Sequence, residues 1–342
     1  MNVSKIETNQ KENRFLYKYE DMECKYKLNN ENKNLIILYP EIIYQKILGF
    51  GGAFSESSSY IITKFKEDTQ NEFIKDYFSE DGLAYNFARV QINSSDFSLE
   101  TYSYLDNKNK DLSNLDMSRD EKYIIPAINL AQNVNPNIKF IASPWSPPAF
   151  MKDNNSMYNG GKLLNTYKQL WADYLIKYIQ IYQKNNIDIN YITVQNEPES
   201  SKEWESCNYS AKDETSFIEN YLYPTLKFYK INTKILVWDN NKERIIYRIN
   251  DMYKNPNISN LISGVAYHYY TGDHFNNLRL LKNLCPELLL IHTEGSIPYS
   301  KPNKKDELID AEIYAHDIIG DLNNGSNAYI DWNLVLDSSG RT

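Results

Sequence analysis

Residues Leu164–Glu199 read LNTYKQLWADYLIKYIQIYQKNNIDINYITVQNEPE. In the first part Leu164, Tyr167, Trp171, Tyr174, Tyr178 and Tyr182 recur every three or four positions, the period of a helix with one buried face. After the polar break the pattern becomes a short apolar run, Tyr191–Asn196, with Glu197 directly behind it. A long helical pattern followed by a short apolar strand is one step of an alternating α/β chain. The same step recurs on both sides. Further strand candidates are Ile47–Phe54, Leu83–Ile92, Lys139–Trp145, Lys234–Trp238, Gly264–Tyr269, Leu288–Thr293 and Ala328–Leu334. Helical patterns cover Glu121–Val134, Asp213–Lys230 and Glu307–Leu322. Eight strands with intervening helices over roughly 290 residues predict a (β/α)₈ barrel. A doubly wound open sheet is the rival, but no G-x-G-x-x-G opens the first unit, and Gly49, Gly51 and Gly52 of LGFGGAF have the wrong spacing for a phosphate loop.

The two ends depart from the series. Residues Phe15–Tyr44 read as short strands around NNENKN and are expected to form a small sheet beside the barrel. The expected domains are therefore an extension over 1–46 and a barrel over 47–342. The sequence stops at DSSGRT, just after the eighth strand, so the barrel is expected to lack its last outer helix and to expose part of its apolar flank.

Composition narrows the function classes. With 42% apolar and 24% charged residues the 342-residue chain is globular and can bury a substantial core. Forty-five acidic against 37 basic residues, with no Lys/Arg-dense stripe, argue against a nucleic-acid surface. The 29 tyrosines reflect a compositional bias or line a sugar-binding cleft. The N-terminal MNVSKIETNQKENRF has no apolar core of a signal peptide, and no run of 18 apolar residues predicts a membrane span. A cytoplasmic location is the default expectation, with export by another route left open. Cys24, Cys207 and Cys285 are odd in number and far apart, so neither a disulfide framework nor a metal cluster follows.

In barrels of this type the active site is built at the C-terminal strand ends. Those ends carry Arg89 with Asn93 and Asp96; Trp145; Asn196-Glu197; Trp238-Asp239-Asn240; His268-Tyr269-Tyr270; Thr293-Glu294; and Asp331-Trp332-Asn333. Glu197 and Glu294, 97 residues apart on the fourth and seventh strands, can face each other across the mouth. Indoles, amides, a guanidinium and an imidazole around two carboxylates suit a neutral polyhydroxylated ligand. Glycoside hydrolysis needs two such groups, one protonating the departing oxygen and one attacking or activating water; a separation of about 5 Å implies retention. Glu197 is the acid/base candidate and is expected to have a raised pKa. Glu294 is the nucleophile candidate, and Asn196 can hold the sugar 2-hydroxyl. His292 and His268 either position Glu294 or are satisfied barrel histidines.

Other chemistries find less support. The four histidines give no H-E-x-x-H, and the alternate pair His292/Glu294 is the ordinary spacing of two residues on one strand face. Ser55, Ser57, Ser58 and Ser59 have no identifiable base, Glu56 reads as polar loop, and Cys207 as packing. No cofactor or metal is called for.

The stretches GFGGAFSES, YNFARVQINSSDFS, ASPWSPPAFMKDN, TVQNEPE, WESCNYSA, HTEG and DWNLVLD, in this order across Ile47–Asp337, resemble glycoside hydrolase family 30, which contains lysosomal glucosylceramidase and microbial β-1,6-glucanases. The resemblance implies a retaining barrel hydrolase acting on β-glucosides, with Glu197 as acid/base and Glu294 as nucleophile. It implies a sugar subsite lined by Arg89, Asp96, Trp145, Asn196, His268, Tyr270 and Trp332, with Trp204 near the aglycone. Trp238, at a strand end, joins the expected wall. Where the family has Asp-His-Asn after strand five, this chain has Asp239-Asn240-Asn241. The family's further loop, last helix and side β-sandwich are absent from this sequence, as is the secretion signal of many relatives, so weakened stability and little activity are expected. A non-catalytic sugar-binding barrel and a xylan-directed hydrolase are the alternative expectations; oligomeric state is left open.

Overall fold

A computed structural model describes residues 2–23, 39–105, 112–297 and 307–340. Its contacts divide the chain into Met1–Ile43 and Tyr44–Thr342. The first unit holds two antiparallel pairs, β1 (Asn2–Val3) with β4 (Met22–Glu23) and β2 (Ile6–Asn9) with β3 (Arg14–Lys18). Cys24 and the NNENKN tract lie outside the described residues.

The second unit is a closed barrel of eight parallel strands. These are β5 (Gly49–Phe54), β6 (Phe87–Ile92), β7 (Lys139–Pro144), β8 (Ile189–Thr193), β9 (Lys234–Asn241), β10 (Gly264–His268), β11 (Leu289–Glu294) and β12 (Ala328–Asn333). All eight expected strands are present, and β12 closes the ring against β5. Inward-facing Phe87, Ile141, Tyr191, Leu236, Ala266, Ile291, Ala328 and Ile330 fill its interior, a packed core rather than a pore. The glycine-rich LGFGGAF is a strand: a Cβ on Gly51 would lie 1.8 Å from the Phe87 carbonyl oxygen, so close strand approach requires glycine there.

The helices form the outer layer. The tyrosine stripe becomes α4 (Lys168–Lys184), which buries Trp171, Tyr174, Tyr178 and Tyr182 completely; Leu164 lies before its start. The helices expected over Glu121–Val134 and Asp213–Lys230 are each interrupted by a π turn, at Asp120–Ile124 and Ile218–Leu222. Each precedes a proline, Pro126 or Pro224, whose ring and missing N–H disfavour a regular preceding turn. Four shorter helices were not evident in the sequence pattern: α1 (Glu56–Lys64), α2 (Glu67–Phe78), α7 (Ile245–Met252) and α8 (Phe275–Leu284). Glu56 is accordingly not loop. It is buried in the first turn of α1, after the Ser55 cap, and receives hydrogen bonds from Arg119 (2.7 Å) and the Leu99 amide (2.9 Å). The helix expected over Glu307–Leu322 spans Glu307–Asn323. After Asn333 the described residues contain no helix, and no described helix is long and apolar enough to cross a membrane.

Candidate active site

The polar strand ends converge on Arg89. Its guanidinium, fully buried on β6, donates to Glu294 Oε2 (2.5 Å), Asn196 Oδ1 (2.8 Å), Asp239 Oδ2 (2.8 Å) and Ser143 Oγ (3.1 Å). It lies over Trp145 and Trp332 at 4.7 and 5.3 Å, and these indoles stack at 5.2 Å and 18°. Tyr270 donates to the other Glu294 oxygen at 2.8 Å, so both oxygens of this carboxylate are fixed.

Asp239 lies beneath. It accepts from Arg89, from the Ser143, Thr193 and Thr293 hydroxyls, and faces His268 Nε2 at 3.1 Å. Burial would raise its pKa, but the Arg89 charge and these donors hold it well below the usual carboxylate range. His268 moves the other way. Burial opposes its protonation, yet Glu294, Asp239 and Glu197 raise its pKa to about 9, and its Nδ1 lies 3.6 Å from Glu197 Oε1. The imidazolium therefore stands between Asp239 and Glu197.

Glu197 lies past the end of β8 with a left-handed φ of +45°, a conformation costing a non-glycine residue about 1–3 kcal/mol. The amide of Glu197 donates to the Asp239 carbonyl (2.9 Å) and that of Asn196 to the Pro144 carbonyl (2.8 Å), which hold the turn in place. The raised pKa expected of Glu197 is not found. Burial favours it, but His268 and Lys202 together outweigh burial and lower the value.

The cleft above this network has a volume of about 830 Å³. Glu197, Glu294, Asp96, Trp145, Asn196, Trp204, Tyr270 and Trp332 line it, joined by Asn241 and Asp331, to which the sequence had assigned no role, and by Lys202, which no sequence pattern marks. Arg89 and His268 are beneath its floor rather than in its wall. Asp96 opens to the cleft; partial withdrawal from bulk water, then the charges of Glu294, Glu197 and Glu205, push its pKa up.

The family model for the glycosyl hydrolase family 30 TIM-barrel domain matches residues 47–342. The chain belongs to glycosyl hydrolase family 30. Among its relatives is the "Putative glucosylceramidase 4" of Caenorhabditis elegans, 32% identical over 336 residues, covering 93% of this chain and 64% of the relative. Two solved structures are similar. SrfJ from Salmonella typhimurium has a TM-score of 0.95 at 35% identity, with 100% of this chain and 77% of that one covered. The endo-β1,6-glucanase BT3312 has a TM-score of 0.81 at 30% identity, with 89% and 71% covered. The chain spans about 64% of the length of the first curated relatives.

In this family 30 barrel two expected assignments need correction. Trp238 is not part of the cleft wall. The register of β9 against β10 shifts at this point, and Trp238 and Asp239 both have left-handed φ, +78° and +47°. This bulge sends the Trp238 indole outward into the core, over Arg248 at 5.5 Å with its Nε1 bonded to the Asn241 carbonyl, and turns Asp239 inward. A similar shift on β11 separates His292 from Glu294, so these alternate residues do not share a face. His292 Nδ1 lies 2.8 Å from Asp321, while its Nε2 donates to the Glu294 carbonyl oxygen at 2.8 Å, so it positions the backbone of Glu294. His292, Asp317 and Asp321 bring potential ligand atoms within 4.8 Å of one another, but Lys242 Nζ lies 2.6 and 2.9 Å from the two carboxylates and supplies their counter-charge. Cys207 is buried, and burial pushes its thiol up to about 12, which suits packing and not nucleophilic chemistry.

Proposed function

We propose that residues 47–342 form a retaining β-glycosidase barrel acting on β-glucosides through a covalent glycosyl-enzyme. One observation carries this: Glu197 and Glu294 enter a single cleft from the ends of β8 and β11, over stacked indoles, with Glu294 fixed by Arg89 and Tyr270. Paired with Arg89, Glu294 attacks the anomeric carbon. Glu197 protonates the departing oxygen and then, as a base, activates the water that releases the sugar. Arg89 orients the Asn196 amide by occupying its Oδ1, which leaves Nδ2 to donate to a sugar hydroxyl. Trp145 and Trp332 offer apolar faces to the ring, and Asp96 binds hydroxyls.

The names of the relatives support two leaving-group classes, a glucosylceramide-type lipid and a β-1,6-linked glucan. A panel of aryl glucoside, glucosylceramide, β-1,6-glucan and glucuronoxylan ranks them. The acid/base role is tested by Glu197→Gln. Hydrolysis of a glucoside with a poor leaving group should fall by about 10²–10⁴, with much less loss on an activated aryl glucoside. An unchanged rate on the poor leaving group sinks the assignment.

A further inference from the structure

Among the described residues lining the cleft, Lys202 is the only basic side chain, against Asp96, Glu197, Glu294, Asp331 and Asp337. It follows Glu197 in the same loop, and its Nζ lies 3.4 Å from Glu197 Oε2. The other oxygen, Oε1, faces His268. The two oxygens of Glu197 thus have separate cations, a buried one beneath and a partly exposed one at the cleft.

The two cations differ in freedom. His268 is fully buried and fixed by Asp239. The backbone of Lys202 is held too: its amide donates to Ser206 Oγ at 3.1 Å, and its carbonyl accepts from the Asn159 amide at 2.7 Å. Its side chain is not confined, being 34% exposed with Nζ 5.3 Å from the centre of the Trp204 ring. A four-carbon stem on a fixed backbone beside an indole face can swing without moving the loop.

We propose that Lys202 is a displaceable counter-ion of Glu197, pairing with Oε2 while the cleft is empty and moving out along Trp204 when a leaving group takes its place. The proposal rests on Glu197 being the acid/base group. With Lys202 in place, Glu197 is held ionised. A glycosidic oxygen in that position receives a hydrogen bond only from a protonated carboxyl. Departure of the ammonium removes a positive charge, so Glu197 takes up a proton from solvent. It passes that proton to the leaving oxygen as the C1–O bond breaks and Glu294 bonds to C1. Once the aglycone has gone, Lys202 returns and favours the ionised form. That form then takes a proton from the attacking water as the C1–Glu294 bond breaks. The pKa of Glu197, lowered by His268 and Lys202 against burial, accords with this pairing.

The remaining charged and titratable groups around Glu197 are tied to one another or line the cleft. They are His268 on β10 with Asp239 on β9, Glu294 on β11 with Arg89 on β6, Tyr270 beyond β10 and Asp96 beyond β6. Lys202 is the cation that a substrate can move.

Lys202→Met keeps most of the stem and removes the charge. Titration of the Glu197 side-chain carboxyl in the empty protein by ¹³C NMR, assigned with Glu197→Gln, should shift upward by roughly half a pH unit, the scale of a partly exposed pair. The alkaline limb of kcat/KM should shift with it on a glucoside with a poor leaving group, and Lys202→Arg should retain the wild-type profile. Titration of Lys202→Met identical to wild type, or an arginine variant that behaves like the methionine one, overturns the proposal. A wild-type chain that hydrolyses no β-glycoside overturns the displacement step together with the glycosidase assignment; the titration separates that failure from absence of the ion pair.

Discussion

Replacing Arg89 by methionine should cost about 3–5 kcal/mol of folding stability, the usual consequence of removing one partner from a buried ion pair. The guanidinium is fully buried and contacts two carboxylates, an amide and a hydroxyl at 2.5–3.1 Å. Methionine fills much of the slot beside Trp145 and Trp332, so the loss is chiefly electrostatic. Asp239 keeps three hydroxyls and His268 but loses its permanent positive partner, while Glu294 keeps only Tyr270. Against a total stability of about 5–15 kcal/mol this is a large fraction, so the midpoint should shift visibly. The assay is equilibrium urea unfolding followed by tryptophan fluorescence. Arg89→Lys should recover only part of the loss, because one ammonium cannot serve Glu294, Asp239 and Asn196 together. An Arg89→Met protein within about 1 kcal/mol of wild type, with the same denaturant slope, refutes the view that this guanidinium neutralises the site.

Asp120 is fully buried between helices and accepts hydroxyls from Tyr104 (2.8 Å) and Tyr182 (2.7 Å); burial pushes its pKa up from 3.8 to about 7, against those hydrogen bonds. A folded pKa above the unfolded one favours the folded state at low pH, and that contribution is lost as pH rises through about 7. Between pH 5 and pH 8 wild type should therefore lose more stability than Asp120→Asn; parallel curves would disprove it. Trp238→Phe should cost about 0.5–3 kcal/mol of stability and leave KM for an aryl glucoside unchanged, because the indole is core. Trp332→Ala should instead lower kcat/KM, by up to about tenfold if one aromatic contact is lost. The reverse pattern would return Trp238 to the cleft.

The fold was legible because its strands are short apolar runs at regular intervals and the α4 stripe keeps a helical period. Local backbone events were not. Strand alternation alone would turn Trp238 inward and put His292 on the face of Glu294; two register shifts reverse both, the one on β9 at the left-handed Trp238 and Asp239, and nothing in the residue types announces either. Asp239 was named at its strand end without a role, and its hydroxyl donors Ser143 and Thr193 were not named, for the same reason: their part in the site depends on where the bulge directs the carboxylate. The α1 sequence ESSSYIITK has weak helix propensity and depends on the Ser55 cap, so it read as loop. Nothing in the sequence singles out Lys202, which only the fold places beside Glu197.

Trapping with a 2-deoxy-2-fluoro-β-glucoside that carries an activated leaving group tests the central claim most directly. Intact-protein and peptide mass spectrometry should find one glycosyl adduct, located on Glu294, and proton NMR of turnover should show a first-formed product of β configuration. Sugar release with inverted configuration and no adduct, or an adduct on any other carboxylate, would contradict Glu294 as the nucleophile of a retaining barrel.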